Sequence, residues 1–245
     1  MLQILFPPRC VGCEARGDWL CSRCLEALPR IGPSRCRVCS VPTGGVAVCP
    51  ACWRDPPRFQ STVAEFRFEG VIRRAIHRLK YRGARQLAQP LVDALLDLVP
   101  KLPTVDVIVA IPLHRNRQRR RGFNQASILA AAVSRRIEIP VLERGLIRVK
   151  DTEAQVEIPA ASRWQNVRDA FQLADDRQAL VGKRILLVDD VATTTSTLRA
   201  AARVLVRGGA AEVHALIAAR ATLAPKGDEP KDATFDGSVP SASAG

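Results

Sequence analysis

Apolar positions along this chain change rhythm several times, and each rhythm predicts an element. Ser61–Phe68, STVAEFRF, alternates as a strand with one buried face does, whereas Val71–Tyr81 and Leu87–Leu98 space their aliphatic residues by three and four, as amphipathic helices do. VDVIVAIP, Val105–Pro112, is almost continuously aliphatic, the pattern of a strand buried on both faces of a parallel sheet. Phe123–Ile137 then predicts a helix, and Val141–Val149 and Phe171–Leu173 predict strands. Arg184–Val191 predicts a central strand, Leu198–Val206 a helix stopped by Gly208-Gly209, and Val213–Ala219 a last strand. Strands alternating with helices imply an α/β fold, a mostly parallel sheet flanked by helices. Such sheets bind ligands beyond the carboxyl ends of their strands. The strands ending at Ile111 and Val188 both run into polar clusters, so both clusters are expected to face one crevice.

The amino-terminal fifth has no such rhythm and holds all eight cysteines, as four C-x-x-C pairs: Cys10/Cys13, Cys21/Cys24, Cys36/Cys39 and Cys49/Cys52. Two C-x-x-C knuckles complete the tetrahedral shell that zinc prefers, and soft thiolates select zinc over magnesium or calcium. Disulfides would require an oxidising compartment, and ferredoxin-type iron–sulfur sites space their cysteines differently. Eight ligands make two Cys₄ zinc sites, most simply Cys10, Cys13, Cys21, Cys24 and Cys36, Cys39, Cys49, Cys52, though interleaved pairing also satisfies the count. Four thiolates leave zinc no open position, so both sites are expected to be structural and to supply the folding energy of a segment poor in large apolar residues. Pro56-Pro57 marks its end, giving a cysteine module over 1–57, an α/β domain over 58–220 and a disordered tail over 221–245.

Charge narrows the partners. The 245-residue chain carries a formal +13, which suits a polyanion such as nucleic acid or a phosphate-rich ligand, although arginine-rich coding composition also yields such an excess. No apolar run has the roughly 18–20 residues of a membrane span, and MLQILFPPRC makes a poor signal peptide, so a cytoplasmic location is expected. Aromatic residues make up only 4% of the chain, too few for an extended stacking platform; Trp53 and Trp164 read as packing residues, with stacking on a base as the alternative.

The chemistry concentrates in two stretches. In ILLVDDVATTTSTL, Ile185–Leu198, the carboxylates Asp189 and Asp190 end an aliphatic strand, and Thr193, Thr194, Thr195, Ser196 and Thr197 lead into a helix. A helix amino terminus and hydroxyl donors suit a phosphate, while carboxylates accept hydrogen bonds from a sugar diol. In IPLHRNRQRRRGFNQASILA, Ile111–Ala130, Arg115, Arg117, Arg119, Arg120 and Arg121 form a guanidinium cluster whose forks suit a diphosphate, and equally a solvated face or a nucleic-acid patch. His114 among these arginines is expected to stay neutral and to hydrogen-bond rather than move protons. Lys80 and Tyr81, before Gly83, are placed to reach the same crevice.

The acidic stretch resembles the 5-phosphoribosyl-diphosphate (PRPP) motif of type I phosphoribosyltransferases, a hydrophobic strand followed by two acids and a Thr-Thr-Gly-x-Thr loop, with Thr195 where glycine is usual. Threonine there costs about 1–2 kcal/mol if the loop demands a left-handed backbone. Pro112-Leu113-His114, the spaced arginines, Arg121-Gly122-Phe123-Asn124-Gln125-Ala126 and the series Arg148, Thr152, Gln155, Arg163, Asn166, Val167, Phe171 are together similar to the ComF competence-protein family, which also carries a cysteine-rich amino-terminal module. The resemblance spans roughly residues 1–220. It implies a type I phosphoribosyltransferase-like fold behind a double zinc ribbon, with a part in DNA uptake. It also implies roles: Asp189 and Asp190 on the ribose diol, Thr193–Thr197 on the 5-phosphate, Pro112, Leu113, His114, Arg115, Arg119 and Arg121 beside the diphosphate with Mg²⁺, and Gln155, Arg163 and Asn166 on a hood over Lys150–Arg168. Transfer of the phosphoribosyl group to an unnamed acceptor is one implied activity. A non-catalytic protein associated with single-stranded DNA, or one that senses PRPP, is the other.

Overall fold

The computed structural model describes residues 7–99, 102–151, 167, 169–174 and 177–221. Gln155, Arg163, Asn166, Trp164 and the expected tail after Ala221 lie outside them. In chain order the elements are α1 (Ser22–Glu26), α2 (Pro50–Arg54), β1 (Ser61–Val63), α3 (Gly70–Tyr81), α4 (Ala88–Leu96), β2 (Val107–Ala110), α5 (Arg115–Arg121), α6 (Gln125–Ile137), β3 (Leu146–Arg148), β4 (Phe171–Leu173), β5 (Arg184–Ala192), α7 (Ser196–Arg207) and β6 (Glu212–Arg220).

The expected parallel sheet is present, with four strands in the order β1-β6-β5-β2, all neighbours parallel. Alternation of side chains along its strands builds two cores. Ile108, Leu186, Val188, Leu216 and Ala218 face one side, where α3, α4 and α6 lay Ile76, Leu79, Leu91, Leu95, Leu129 and Val133 on them. Val107, Val109, Ile185, Leu187, Ala215 and Ile217 face the other, covered by Leu198, Ala201 and Leu205 of α7. Because β5 and β6 are covered on both faces, Ile185–Val188 and Ala215–Ala219 run aliphatic without alternation.

Three elements depart from the hydrophobic pattern, each for a local reason. The strand expected over Ser61–Phe68 stops at Val63, because the next residues turn to the cysteine module: Ile31 N–H donates to Glu65 O at 2.6 Å and Arg67 N–H to Pro29 O at 2.8 Å. Val141–Val149 is two pieces: Val141 bridges Ile108 beside β2, and Leu146–Arg148 pairs antiparallel with β4. The arginine cluster, to which the sequence pattern assigned no element, is largely the helix α5. His114 Nδ1 caps it by accepting the Asn116 N–H at 3.3 Å, and Gly122 ends it with a left-handed backbone, φ 78°.

The cysteine module is seated at two places. Cys10, Val11, Leu20, Cys24 and Leu28 belong to the apolar cluster that covers the α3 face of the sheet, and Arg74 of α3 donates to Val11 O and Gly12 O at 3.2 and 3.1 Å. The second half is tied by Arg35, whose Nη2 donates to Glu65 Oε1 at 2.7 Å and whose Nη1 donates to Glu65 Oε2 at 2.9 Å and Ala64 O at 2.8 Å. No described helix is long and apolar enough to cross a membrane.

Candidate functional site

The structure resolves the cysteine pairing. The Sγ atoms of Cys10, Cys13, Cys21 and Cys24 lie within 4.8 Å of one another, as do those of Cys36, Cys39, Cys49 and Cys52. Cys10–Cys21, Cys13–Cys21 and Cys39–Cys49 are separated by 3.6, 3.7 and 3.7 Å. Thiolates bound to one zinc at about 2.3 Å stand about 3.8 Å apart along a tetrahedral edge, so both sets fit the ion. Backbone N–H groups of Gly12 and Cys21 point at Cys10 Sγ at 3.4 Å, and that of Cys49 at Cys36 Sγ at 3.3 Å, donors that stabilise thiolate charge. Gly12 has no room for a side chain, since a Cβ would stand 2.4 Å from Cys24 Sγ.

At the carboxyl end of β5, Asp189 and Asp190 are 8% and 4% exposed. Asp189 Oδ1 accepts the Asp190 N–H and Asp190 Oδ1 the Val191 N–H, both at 2.8 Å. Lys80 Nζ, at the end of α3, lies 2.6 Å from Asp190 Oδ2, so the lysine does reach the crevice. Burial, and next the Asp190 charge, push the Asp189 carboxyl up to about 8.

The hydroxyl loop continues from this strand into α7. Thr195 is its amino-terminal cap and has φ 59°, ψ 7°, the left-handed conformation that the glycine of the related motif adopts freely. Its hydroxyl donates to Thr194 O at 2.6 Å, and Thr194 and Ser196 share a hydroxyl–hydroxyl bond of 2.8 Å. Thr195 and Ser196 are buried, Thr197 half-buried and Thr193 exposed.

Helix α5 divides the arginines that the sequence placed in one patch. Arg117, Arg120 and Arg121 line a cavity of about 580 Å³ with Lys80 and Tyr81, and the Arg121 guanidinium lies 5.2 Å from the Tyr81 ring centre. Arg115 and Gln118 turn to a second cavity, of about 520 Å³, shared with Pro112, Leu113, His114, Asn124 and Arg148. Arg119 is exposed and lines neither. Two more groups gather at this end of the sheet: Asp151, which the sequence reading did not single out, and Arg148, which it named only as part of the family pattern. Asp151 places its carboxylate 3.2 Å from both His114 Nδ1 and Arg117 Nε, and Arg148 stacks its guanidinium 5.4 Å from the Phe171 ring centre. Arg148 is pulled below the usual arginine range by burial and then by Arg117, and is drawn back by Asp189 and Asp151. Only the topology, with His114 bridging Arg148, brings these groups together. His114 hydrogen-bonds through Nδ1, which accepts the Asn116 N–H. Asn124 of the Gly-Phe-Asn-Gln motif is a hinge: it accepts the Ala126 N–H at 3.1 Å and donates to Ile111 O at 2.9 Å, fixing the start of α6 against β2. Trp53, read as a packing residue, is instead 79% exposed.

A third cavity, of about 620 Å³, lies between the second cysteine set and the hydroxyl loop. Arg199 of α7 spans that boundary, donating to Asp55 O at 2.7 Å and Asp55 Oδ2 at 2.9 Å, with Nη2 3.9 Å from Cys52 Sγ.

Residues 1–53 match the double zinc ribbon domain and residues 120–239 the phosphoribosyl transferase domain. The chain is 33% identical to the DNA utilization protein YhgH of Salmonella typhi over 82% of this chain and 90% of that protein. It is 32% identical to competence protein F of Haemophilus influenzae, over 87% and 97%, and 27% identical to competence protein ComFC of Bacillus subtilis, over 78% and 80%.

Proposed function

The chain belongs to the ComF competence-protein family, and from that premise we propose that its α/β domain binds PRPP with Mg²⁺ and transfers the phosphoribosyl group to an acceptor. One observation carries the reading: an aliphatic strand delivers two adjacent buried carboxylates directly before a hydroxyl loop that opens a helix. Asp189 and Asp190 accept the ribose hydroxyls. Thr193–Thr197 and the amino end of α7 hold the 5-phosphate. Pro112, Leu113, His114 and Arg115 form the loop beside the diphosphate, whose charge Arg115, Arg117 and Arg148 neutralise, and Arg121 lies farther along the basic wall with Lys80. Arg119, turned to solvent, has the weakest claim among the arginines. Gln155, Arg163 and Asn166 serve as hood contacts that exclude water, which would otherwise hydrolyse PRPP. The carboxylates already take backbone N–H groups and Lys80, so the metal would be held mainly by substrate oxygens and water, neutralising diphosphate charge.

The test is a thermal shift with PRPP and Mg²⁺. Saturation a hundredfold above Kd stabilises by about 2.7 kcal/mol, and Asp189→Asn/Asp190→Asn should abolish the shift. No shift at millimolar PRPP would sink the reading.

A second reading rests on the exposed Arg115, Arg119 and Arg120 and on the relatives' names, DNA utilization and competence. In it the protein holds single-stranded DNA in the cytoplasm beside the DNA-uptake machinery. That reading expects salt-sensitive DNA binding that survives the double aspartate change and weakens in Arg115→Ala/Arg119→Ala.

A further inference from the structure

A fourth cavity, of about 660 Å³, lies between α7 and the segment that joins the cysteine module to the α/β domain. The phosphoribosyl reading makes no use of it. Its charge is one-sided. Arg199, Arg203 and Arg207 recur every four residues, so they stand in a row along one face of α7, about 6 Å apart at 1.5 Å of rise per residue. Arg58 lines the same groove from the joining segment. Asp55 is the acid among the lining residues, and Arg199 already holds it, donating to Asp55 Oδ2 at 2.9 Å and to its backbone O at 2.7 Å. Arg58 and Arg207 are exposed and Arg203 is half-buried. Like charges four residues apart on a helix repel. Three arginines in a row, with a fourth across the groove and one carboxylate among them, therefore keep a repulsion that a bound anion would relieve.

Shape and lining narrow the anion. The volume falls in the ordinary range for small-molecule sites. The arginines line one bounded cavity, whereas a polynucleotide strand needs a groove that tracks its backbone. A guanidinium grips two oxygens in a planar fork, so arginines one turn apart suit a short chain of linked phosphates better than a lone carboxylate. Pro56, Pro57 and Val206 add an apolar patch on which the base of a nucleotide can lie. Among the described lining residues there is no thiol, hydroxyl or imidazole, and the carboxylate is held by Arg199. The groove is built to hold a ligand, not to cleave it.

We propose that the groove between α7 and the joining segment binds a short chain of linked phosphates, as carried by a nucleoside triphosphate. Arg58, Arg203 and Arg207 take the phosphates, and Pro56, Pro57 and Val206 take the base. The site is separate from the crevice at Asp189 and Asp190, and it stands or falls independently of the phosphoribosyl reading.

The experiment titrates the full-length, zinc-loaded protein calorimetrically with ATP, GTP and inorganic triphosphate, without PRPP, at about 0.1 M ionic strength. At least one probe should bind with a Kd below about 1 mM. Arg58→Met/Arg207→Met should weaken that binding about 10- to 100-fold. Arg58→Lys/Arg207→Lys, which keeps the charge and loses the forks, should weaken it as well. Both pairs change exposed positions, so thermal unfolding and two zinc ions per chain should be retained. Arg117→Met/Arg121→Met, in the crevice, should leave the binding intact. Tighter binding of ATP or GTP than of triphosphate assigns a nucleotide to the site, and equal affinities assign the phosphates alone. Either result upholds the proposal. It is overturned if no probe binds, if the lysine pair binds as tightly as the unaltered protein, or if the loss is confined to the crevice pair. It also falls if a single-stranded oligonucleotide binds through Arg58 and Arg207 while the three probes do not, which would give the groove to a nucleic-acid backbone. Because the titration contains no PRPP, its failure and that of the phosphoribosyl reading are separate results.

Discussion

Cys10, Cys13, Cys21 and Cys24 lie against α3 in the apolar cluster that fills one face of the sheet. Cys36, Cys39, Cys49 and Cys52, with the same C-x-x-C spacing, have Val38, Val41 and Val48 packed against them among the described residues, and otherwise meet charge: Arg199, itself paired with Asp55, and Arg220. The same ligand set therefore does two kinds of work. A zinc centre embedded in a core holds the core's shape, while one facing polar groups beside a loop positions that loop. The ligands do not distinguish these roles; their neighbours do.

The strongest way to break the comparison is to remove one centre at a time. Cys10→Ser should cost most, because structural zinc contributes about 10–16 kcal/mol to small zinc domains and this centre is continuous with the main core. The expected result is an insoluble chain or one with no cooperative unfolding transition. Gly12→Ala, which drives a Cβ into Cys24 Sγ, should do nearly the same without altering a ligand. Cys49→Ser should leave a cooperatively folding α/β domain with one zinc and weakened PRPP binding. Equal damage from Cys10→Ser and Cys49→Ser, in zinc content and thermal unfolding, would erase the distinction.

A milder test loosens the second half without touching its cysteines. Glu65→Ala removes the partner of Arg35, whose side chain is 27% exposed against 11% for Glu65. Charged hydrogen bonds contribute about 1.5–3 kcal/mol, so roughly 2 kcal/mol of destabilisation in a denaturant titration is expected. Its effect on PRPP affinity should exceed that of Glu14→Ala, which breaks the exposed pair with Arg78 on the first half.

The carboxylates supply a smaller, pH-dependent handle. Between the unfolded carboxyl value near 4 and about 8, the folded protein keeps a proton on Asp189 that the unfolded chain has released. The ligand-free protein should therefore lose stability as pH rises through that window, and Asp189→Asn should flatten the trend in melting temperature. PRPP affinity should rise across the same window, because a carboxylate accepts a diol's hydrogen bonds more strongly than a protonated acid does. The first cysteine half lies elsewhere on the fold, so Glu14→Ala should leave the slope unaltered.

Much of this arrangement could be read from residue order. The aliphatic runs of β2, β5 and β6, the two metal sites and the placing of Asp189 and Asp190 before a helix are local patterns whose period or spacing carries the information. What escaped was set by contacts far apart in sequence. The strand after Ser61 stops early because Pro29 and Ile31 claim its backbone, and α5 went unseen because a run of arginines has no apolar stripe to give it a period. Asp151 and Arg220 were not singled out and Arg148 was only a letter of the family pattern, until the sheet brought Asp151 and Arg148 beside His114 and Arg220 beside a cysteine set.

The smallest effect concerns Thr195, which lies between the second cysteine set and the carboxylates. It holds φ 59° where the related motif has glycine, so its Cβ bears the left-handed strain that glycine avoids. Part of that strain is offset by the hydroxyl's bond to Thr194 O at 2.6 Å. Thr195→Gly should therefore raise stability by no more than about 1 kcal/mol, strain relief exceeding the lost bond and the added chain entropy of glycine. Thr195→Val keeps the branched Cβ without the bond and should destabilise by about 1 kcal/mol. If PRPP affinity rises in Thr195→Gly as well, strain limits the phosphate loop. If stability rises and affinity falls, the threonine side chain is itself part of the wall facing the second zinc ribbon, and the loop and that ribbon act as one site.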